Sequence, residues 1–193
     1  DALFRAGKFE QAGLAYEAIL EQDAENVHAA RQRGYVALLS NNFPDAERYL
    51  TTAIELAPDD TDANRLLADC YTRQDKFSLA APRWRAAGED AYAAVFETIG
   101  DEPYQIEGDI GRPPWLQMDT SPLVEVSLNG GPPQNFAFYT NVASVGMSAA
   151  VAREAGLTAV AEVTLDYLDP PQTMYYGVLD SFRLGGIEVR NIP

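Results

Sequence analysis

The chain has 193 residues, 47% hydrophobic and 22% charged, so it has enough apolar material for a sizeable core in one or two domains and no composition of the disordered kind. Its formal charge of −15, shared about equally by residues 1–100 and 101–193, disfavours nucleic acid and anionic membrane surfaces as partners, since both would repel it. No apolar run approaches the roughly 20 residues of a membrane span, and the single cysteine, Cys70, leaves no intrachain disulfide to form.

The sequence starts at Asp1 rather than Met and reads as a fragment, or a chain with its ends missing, from which an upstream signal or anchor could have been lost. Residues 1–100 repeat with a period of 34. Phe9, Phe43 and Phe77 recur at that interval, as do Ala12, Ala46 and Ala80. So do Tyr16, Leu50 and Trp84, then Ile19, Ala53 and Ala87, and Gly34 pairs with Ala68. Small residues at fixed spacing let antiparallel helices approach closely, and the aromatics fill the space between neighbouring pairs. The pattern predicts helices near 10–22, 27–40, 43–56, 61–73, 77–87 and 90–99, with residues 1–6 as the tail of an earlier one. Pro58 falls in a turn after which Asp60 or Thr61 can cap the next helix. Pro44 falls in a first turn, where its missing N–H costs little. Pro82 lies further in, so its helix should kink or start late.

This region resembles the tetratricopeptide (TPR) repeat, which implies binding of peptides or partner proteins on a concave face lined by the first helix of each pair. Arg31 and Arg65 sit at equivalent repeat positions on that face. Together they could clamp a ligand carboxylate, or they could be solvated arginines balancing an acidic scaffold. Tyr35, and Tyr175 in the second half, are further candidate peptide contacts. His28, the only histidine, lies near the same face and far from any candidate nucleophile. Asp59, Asp60 and Asp62 fit helix capping better than a metal, because no regular ligand spacing follows them. No cofactor is expected.

After Gly100 the period changes to that of strands. Gln105 lies in a first short strand-like run, 104–107. Trp115-Leu116-Gln117-Met118 is a second. Leu123–Leu128, the turn Asn129-Gly130-Gly131-Pro132-Pro133 and a strand over 136–140 form a β-hairpin. A short helix follows, capped by Ser148 and stopped by Gly156. Ala159–Leu165 and Thr173–Leu179 are strands joined by a Pro-containing loop. Ser181 opens a last tight hairpin that turns at Gly185-Gly186 and runs through Ile187–Ile192 to the final residue, Pro193.

The hairpin leading into Tyr139-Thr140-Asn141, the Ala155-Gly156-Leu157 helix end and the closing Leu184-Gly185-Gly186-Ile187 hairpin are together similar to the bacterial retropepsin-like aspartyl protease domain. That domain also occurs fused behind helical repeats. The resemblance covers about residues 120–193. It implies an α+β chain of two domains: an all-α TPR solenoid over 1–100, a linker with first strands over 101–119, and an all-β acid-protease-like domain over 120–193, truncated at its C-terminus. In such a family two aspartates share a proton and activate a water against a peptide carbonyl. A flap, here about residues 162–178, covers the substrate.

Tyr139 stands where the catalytic aspartate of Asp-Thr-Gly would be, and Asn141 replaces the glycine. A phenol, with a reference pKa of about 10, cannot share a proton as a carboxylate does near neutral pH. Asp119, Asp166 and Asp169 are the nearest candidate substitutes, and none follows an apolar strand or precedes Thr-Gly. The leading expectation is a TPR scaffold with a degenerate protease-like domain that binds peptides or proteins without catalysis. The alternatives are an active aspartic endopeptidase whose aspartate lies outside this sequence or in a partner, and a TPR adaptor whose β-domain is only structural. The resemblance also implies a possible homodimer through the β-domain and a periplasmic or exported setting.

Overall fold

The computed structural model describes residues 1–100, 105–108, 111–139 and 144–192. Thr140 and Asn141, and the ends of the first predicted strand and of the last hairpin, lie outside these residues. The chain divides into two compact units, Asp1–Ala93 and Ala94–Pro193. The first is helical and the second is rich in β-structure.

Among the described residues, seven helices come first in order: α1 Ala2–Arg5, α2 Phe9–Gln22, α3 Val27–Leu39, α4 Phe43–Leu56, α5 Thr61–Thr72, α6 Phe77–Ala86 and α7 Asp90–Ile99. Each helix from α1 to α5 packs on the next in sequence. The period of 34 is written into the backbone as well as the side chains. Gly7, Asn41 and Asp75, each 34 residues apart, all have left-handed φ, at 72°, 54° and 57°. Each is followed by an amide that closes the same turn: Lys8 N–H donates to Leu3 O, Asn42 N–H to Ala37 O and Lys76 N–H to Tyr71 O. Glycine meets this backbone demand at no cost, and asparagine and aspartate tolerate it better than most residues.

The caps repeat too. The Asn26 side chain accepts from Ala29 N–H and, 34 residues on, Asp60 accepts from Ala63 N–H, both at 3.0 Å. Each satisfies an amide that the helix start leaves without a partner. Pro44 lies in the first turn of α4, behind its cap Asn42. Pro82 does not delay its helix: α6 starts at Phe77 and continues through it. The carbonyl that Pro82 leaves without a helical partner belongs to Ser78, which is exposed, so water can take the missing bond. Trp84 then anchors the helix, its indole N–H donating to Thr72 Oγ1 at 3.1 Å.

The core of this unit is built from Ala30, Ala37, Leu38, Ala46, Leu50, Ala53, Ile54, Ala63, Leu67 and Cys70. Alanines dominate because the helices touch backbone to backbone. At Gly34 even a methyl would be too much: a Cβ there would lie 2.6 Å from Leu50 Cγ.

The second unit contains β1 Gln105–Glu107, β2 Leu123–Leu128, β3 Gln134–Ala137, α8 Ala149–Glu154, β4 Ala159–Leu165, β5 Gln172–Gly177, β6 Leu179–Leu184 and β7 Ile187–Ile192. Among the described residues five strands form one antiparallel sheet in the order β1-β7-β6-β2-β3, and β4 pairs with β5 alone. Strand β2 alternates as a half-buried strand should, with Val124, Val126 and Leu128 inward. They pack with Leu179, Phe136, Met147, Val151, Leu157, Phe182, Leu184 and Ile192. Ser148 caps α8 through Val151 N–H, and Gly156 after it has φ 71°.

Trp115–Met118 is not a strand. It makes one isolated bridge, Gln117 to Leu123. Pro113 and Pro114 precede it and Thr120, at φ 59°, turns the chain after it, so the pairing cannot extend either way. The hairpin's second strand is earlier than expected, Gln134–Ala137 rather than 136–140.

Candidate functional site

Two places in the molecule carry the predicted site residues. The first is on α3 and α5. Arg31 Nη1 donates to both carboxylate oxygens of Asp60, at 2.9 and 2.7 Å, and lies 3.6 Å from Asp62. Arg65 donates to Glu89 at 2.8 Å. Both arginines therefore tie one repeat to the next, and a ligand carboxylate would have to compete with a resident one. Arg31 also serves the cap: it bonds the carboxylate that accepts from Ala63 N–H. Tyr35 packs its ring on Phe4, with centroids 5.2 Å apart, and Phe4 in turn meets Phe9 edge-on. His28 Nε2 lies 2.9 Å from Asp1 Oδ1, an oxygen that also accepts from the Tyr16 hydroxyl. Burial and the nearby Arg31 and N-terminal charges lower the His28 pKa.

A denser polar network lies where the periodicity gave no pointer. Arg33 donates to Glu17 at 2.8 Å and to Asp45 at 3.2 Å. Asp45 accepts from Arg48 at 2.8 Å, and the Tyr49 ring lies beneath both guanidinium groups, at 4.8 and 4.0 Å. The Tyr49 hydroxyl closes the circuit on Glu17 at 3.1 Å. Glu47 likewise gathers Lys76 and Gln74. Apart from Asp45–Arg48, which lies within α4, these pairs join different helices or a helix and the next turn, and the charges are mutually consumed. Asn64 is fully buried and fully engaged: it donates to Pro58 O and Asp60 O and accepts from Arg83.

The second place is the end of the β2–β3 hairpin. Phe138 N–H donates to Pro122 O at 2.8 Å, which holds the chain beside β2 one residue beyond β3. Tyr139 follows, 54% exposed, its hydroxyl 3.3 Å from Ser121 Oγ. Two hydroxyls at that distance make a neutral polar pair with no carboxylate in it. Asp119 is turned to its own loop, accepting from Thr120 N–H. Asp166 and Asp169 are exposed in the β4–β5 hairpin loop, and Tyr175 is exposed on β5 opposite Glu162. Among the described residues no three His, Cys, Asp or Glu side chains gather as a metal would require.

Trp115 was read only as part of a strand, but it belongs to this place. It meets Phe138 edge-on at 5.9 Å, and both are exposed, as are Leu116 and Met118 beside them. A run of four large residues with no alternation, directly after two prolines, was the available signal. Such a run does not fit a half-buried strand and fits an apolar surface.

Residues 3–70 and 37–83 match the tetratricopeptide repeat family. No curated protein matches the chain. The match covers the helical unit and stops short of the β-rich one. Among the described residues no helix is long and apolar enough to cross a membrane.

Proposed function

We propose that the chain is a protein-binding scaffold in which TPR repeats are followed by a retropepsin-like β-domain that has lost its catalytic acid. The TPR match supports the scaffold half of this reading. For the β-domain the observation that carries it is Tyr139. It stands just past β3, at the end of the hairpin where the aspartate of such a domain would stand, and its polar neighbour is the Ser121 hydroxyl. Activation of water by a shared proton needs two carboxyl groups close together, so that one is base while the other is acid. A tyrosine beside a serine supplies neither at neutral pH. What remains is a site able to hold a peptide without cutting it.

On the helical side, α3 and α5 carry Arg31, Tyr35 and Arg65 toward the face that would meet a partner. Because both arginines already hold carboxylates, recognition there would use exchange of ion pairs and apolar contact rather than two free cations.

The test is cleavage. The chain, incubated with a mixed peptide substrate from acid to neutral pH, should release no fragments. Cleavage abolished by a pepstatin-type inhibitor would overturn the reading and make the protein an aspartic endopeptidase.

A further inference from the structure

We propose that Asn129-Gly130 is a deamidation site gated by the fold: closed while the β-rich unit is folded, and reactive, with water as its only co-reactant, once that unit opens. The inference stands apart from whether the unit binds peptides.

The reaction is a ring closure within the chain. The Gly130 backbone nitrogen attacks Asn129 Cγ and a C–N bond forms. The Cγ–Nδ2 bond breaks, and the nitrogen leaves as ammonia with the proton that Gly130 gives up. Water then opens the cyclic imide at either carbonyl, giving aspartate or its β-linked isomer, with no change of oxidation state. The attacking nitrogen is hindered by the side chain of its own residue, so glycine, with no Cβ, is the least obstructed follower. The other asparagines of the chain are followed by valine, asparagine, phenylalanine, arginine or isoleucine. Gly130 is exposed, so water reaches the dipeptide.

Two sets of constraints hold this exposed site shut. The first is the turn. Asn129 and Gly130 have φ of 48° and 70°, and Gly131 N–H donates to Leu128 O at 2.8 Å. Left-handed backbone at both central residues makes the mirror image of a type I turn. That turn directs the Gly130 nitrogen away from the Asn129 Cβ, whereas ring closure needs the two eclipsed. The second is the carboxamide. Its Oδ1 accepts from Ser181 N–H at 3.0 Å, and its Nδ2 donates to Ala155 O at 2.9 Å. The Asn129 N–H is itself bound to Ser181 O at 2.9 Å. The leaving nitrogen is therefore in use, and the carboxamide stays where it is while β6 and the end of α8 stay in place.

The product cannot rebuild the joint. An aspartate keeps an acceptor for Ser181 N–H but sets a charged oxygen against Ala155 O, where the amide donated. The β-linked isomer also adds an atom to the main chain, at the turn between β2 and β3 where register is set. An opening long enough for ring closure leaves a lasting mark, and the folded population drains irreversibly.

The test reads the mass of peptides cut from the whole chain after incubation at mildly basic pH, native and in guanidinium chloride. In denaturant Asn129 should be the first asparagine to convert, and Gly130→Ala should slow it. In the native chain it should convert at least about a hundredfold more slowly, because only the opened fraction reacts. Leu179, two residues before Ser181, is buried in the core of the unit. Leu179→Ala should speed native conversion about tenfold or more and leave the rate in denaturant unchanged. If that variant does not fold, it should convert at the denaturant rate without denaturant. Asn129→Asp, one product made directly, should unfold at a lower denaturant concentration than the unmodified chain. Native conversion as fast as in denaturant, native conversion unchanged by Leu179→Ala, or another asparagine converting first in denaturant overturns the gated site. An aspartate variant as stable as the unmodified chain overturns the irreversible step.

Discussion

Asn129 holds Ser181 by both of its backbone polar groups. The Asn129 amide N–H donates to Ser181 O at 2.9 Å, and its side-chain oxygen accepts from Ser181 N–H at 3.0 Å. Its remaining Nδ2 donates to Ala155 O, at the end of α8, at 2.9 Å. One residue thus joins β2, β6 and α8, and it does so from a left-handed backbone at φ 48° that asparagine tolerates. Asn129→Ala should destabilise the β-rich unit by roughly 2–4 kcal/mol, through two lost side-chain bonds with their partners left behind and the strained φ. Asn129→Gly loses the bonds and relieves the strain, so it should cost less. Urea unfolding of the three proteins checks the order; an alanine variant as stable as the glycine variant would remove the backbone part of the argument.

Gly34 on α3 packs closely against Leu50 on α4. A Cβ at residue 34 would lie 2.6 Å from Leu50 Cγ, 2.9 Å from Cδ2 and 3.2 Å from the Leu50 backbone nitrogen. The side chain can turn away but the nitrogen cannot, so α3 and α4 would have to separate. Gly34→Ala should cost about 1–3 kcal/mol despite alanine's better helix propensity. In a Leu50→Ala background the added cost should shrink, since the nearest obstacle is gone. Thermal melts of the double-mutant cycle measure this; additive costs would sink the steric account.

Cys70 is buried in the helical core, and burial first, then the Glu47 charge, pushes its thiol up to about 11. Both access and ionisation are therefore withheld near neutral pH, and the thiolate is the reactive form. Alkylation by iodoacetamide at mildly basic pH should be far slower than for a small thiol, and should accelerate on unfolding. Because the folded thiol titrates above its unfolded value, its contribution to stability is lost as pH rises through that interval. Rapid labelling of the native chain would show that the α4–α5 contact opens freely.

The helical half was legible almost to its boundaries because each repeat restates the same demands. Small residues recur where helices touch, Asn26 and Asp60 recur as caps, and Gly7, Asn41 and Asp75 recur at one left-handed turn. The roles of Arg31 and Arg65 were less legible, since their acidic partners lie 29 and 24 residues away and the spacing differs between the two. The Glu17–Arg33–Asp45–Arg48 network was hidden for the same reason. In the second unit β2 showed itself through strict alternation, and Ser148 and Gly156 through cap chemistry. Trp115–Met118 misled because large apolar residues favour strands only when a neighbour pairs with them, and here one bridge is all that forms. The exposed Trp115–Phe138 contact follows from that failure to pair.

The last relationship to test is the link between Arg31 and the cap at Asp60. Burial works against ionisation of Asp60, yet the hydrogen bond from Ala63 N–H and the hydrogen bond and charge of Arg31 outweigh it, so its carboxyl is held below the ordinary 3.8. A carboxylate with a depressed folded-state pKa stabilises the fold above its unfolded value. That contribution drains away as pH falls through the folded one. The loss should therefore begin below about pH 4 and leave neutral pH untouched. Asp45, held down chiefly by its hydrogen bond from Arg48, titrates in the same direction, so the measurement must be a difference between proteins. Asp60→Asn keeps an oxygen for the Ala63 amide and removes the charge. It should be less stable than the unmodified chain at neutral pH and should close the gap as pH falls below 4. Asp60→Ala removes the cap as well and should cost roughly 1–3 kcal/mol at neutral pH. Urea midpoints taken from pH 7 down to acid unfolding decide it. If the asparagine and aspartate proteins lose stability in parallel below pH 4, Asp60 is only a cap, and the Arg31 pair adds nothing to the joint between repeats.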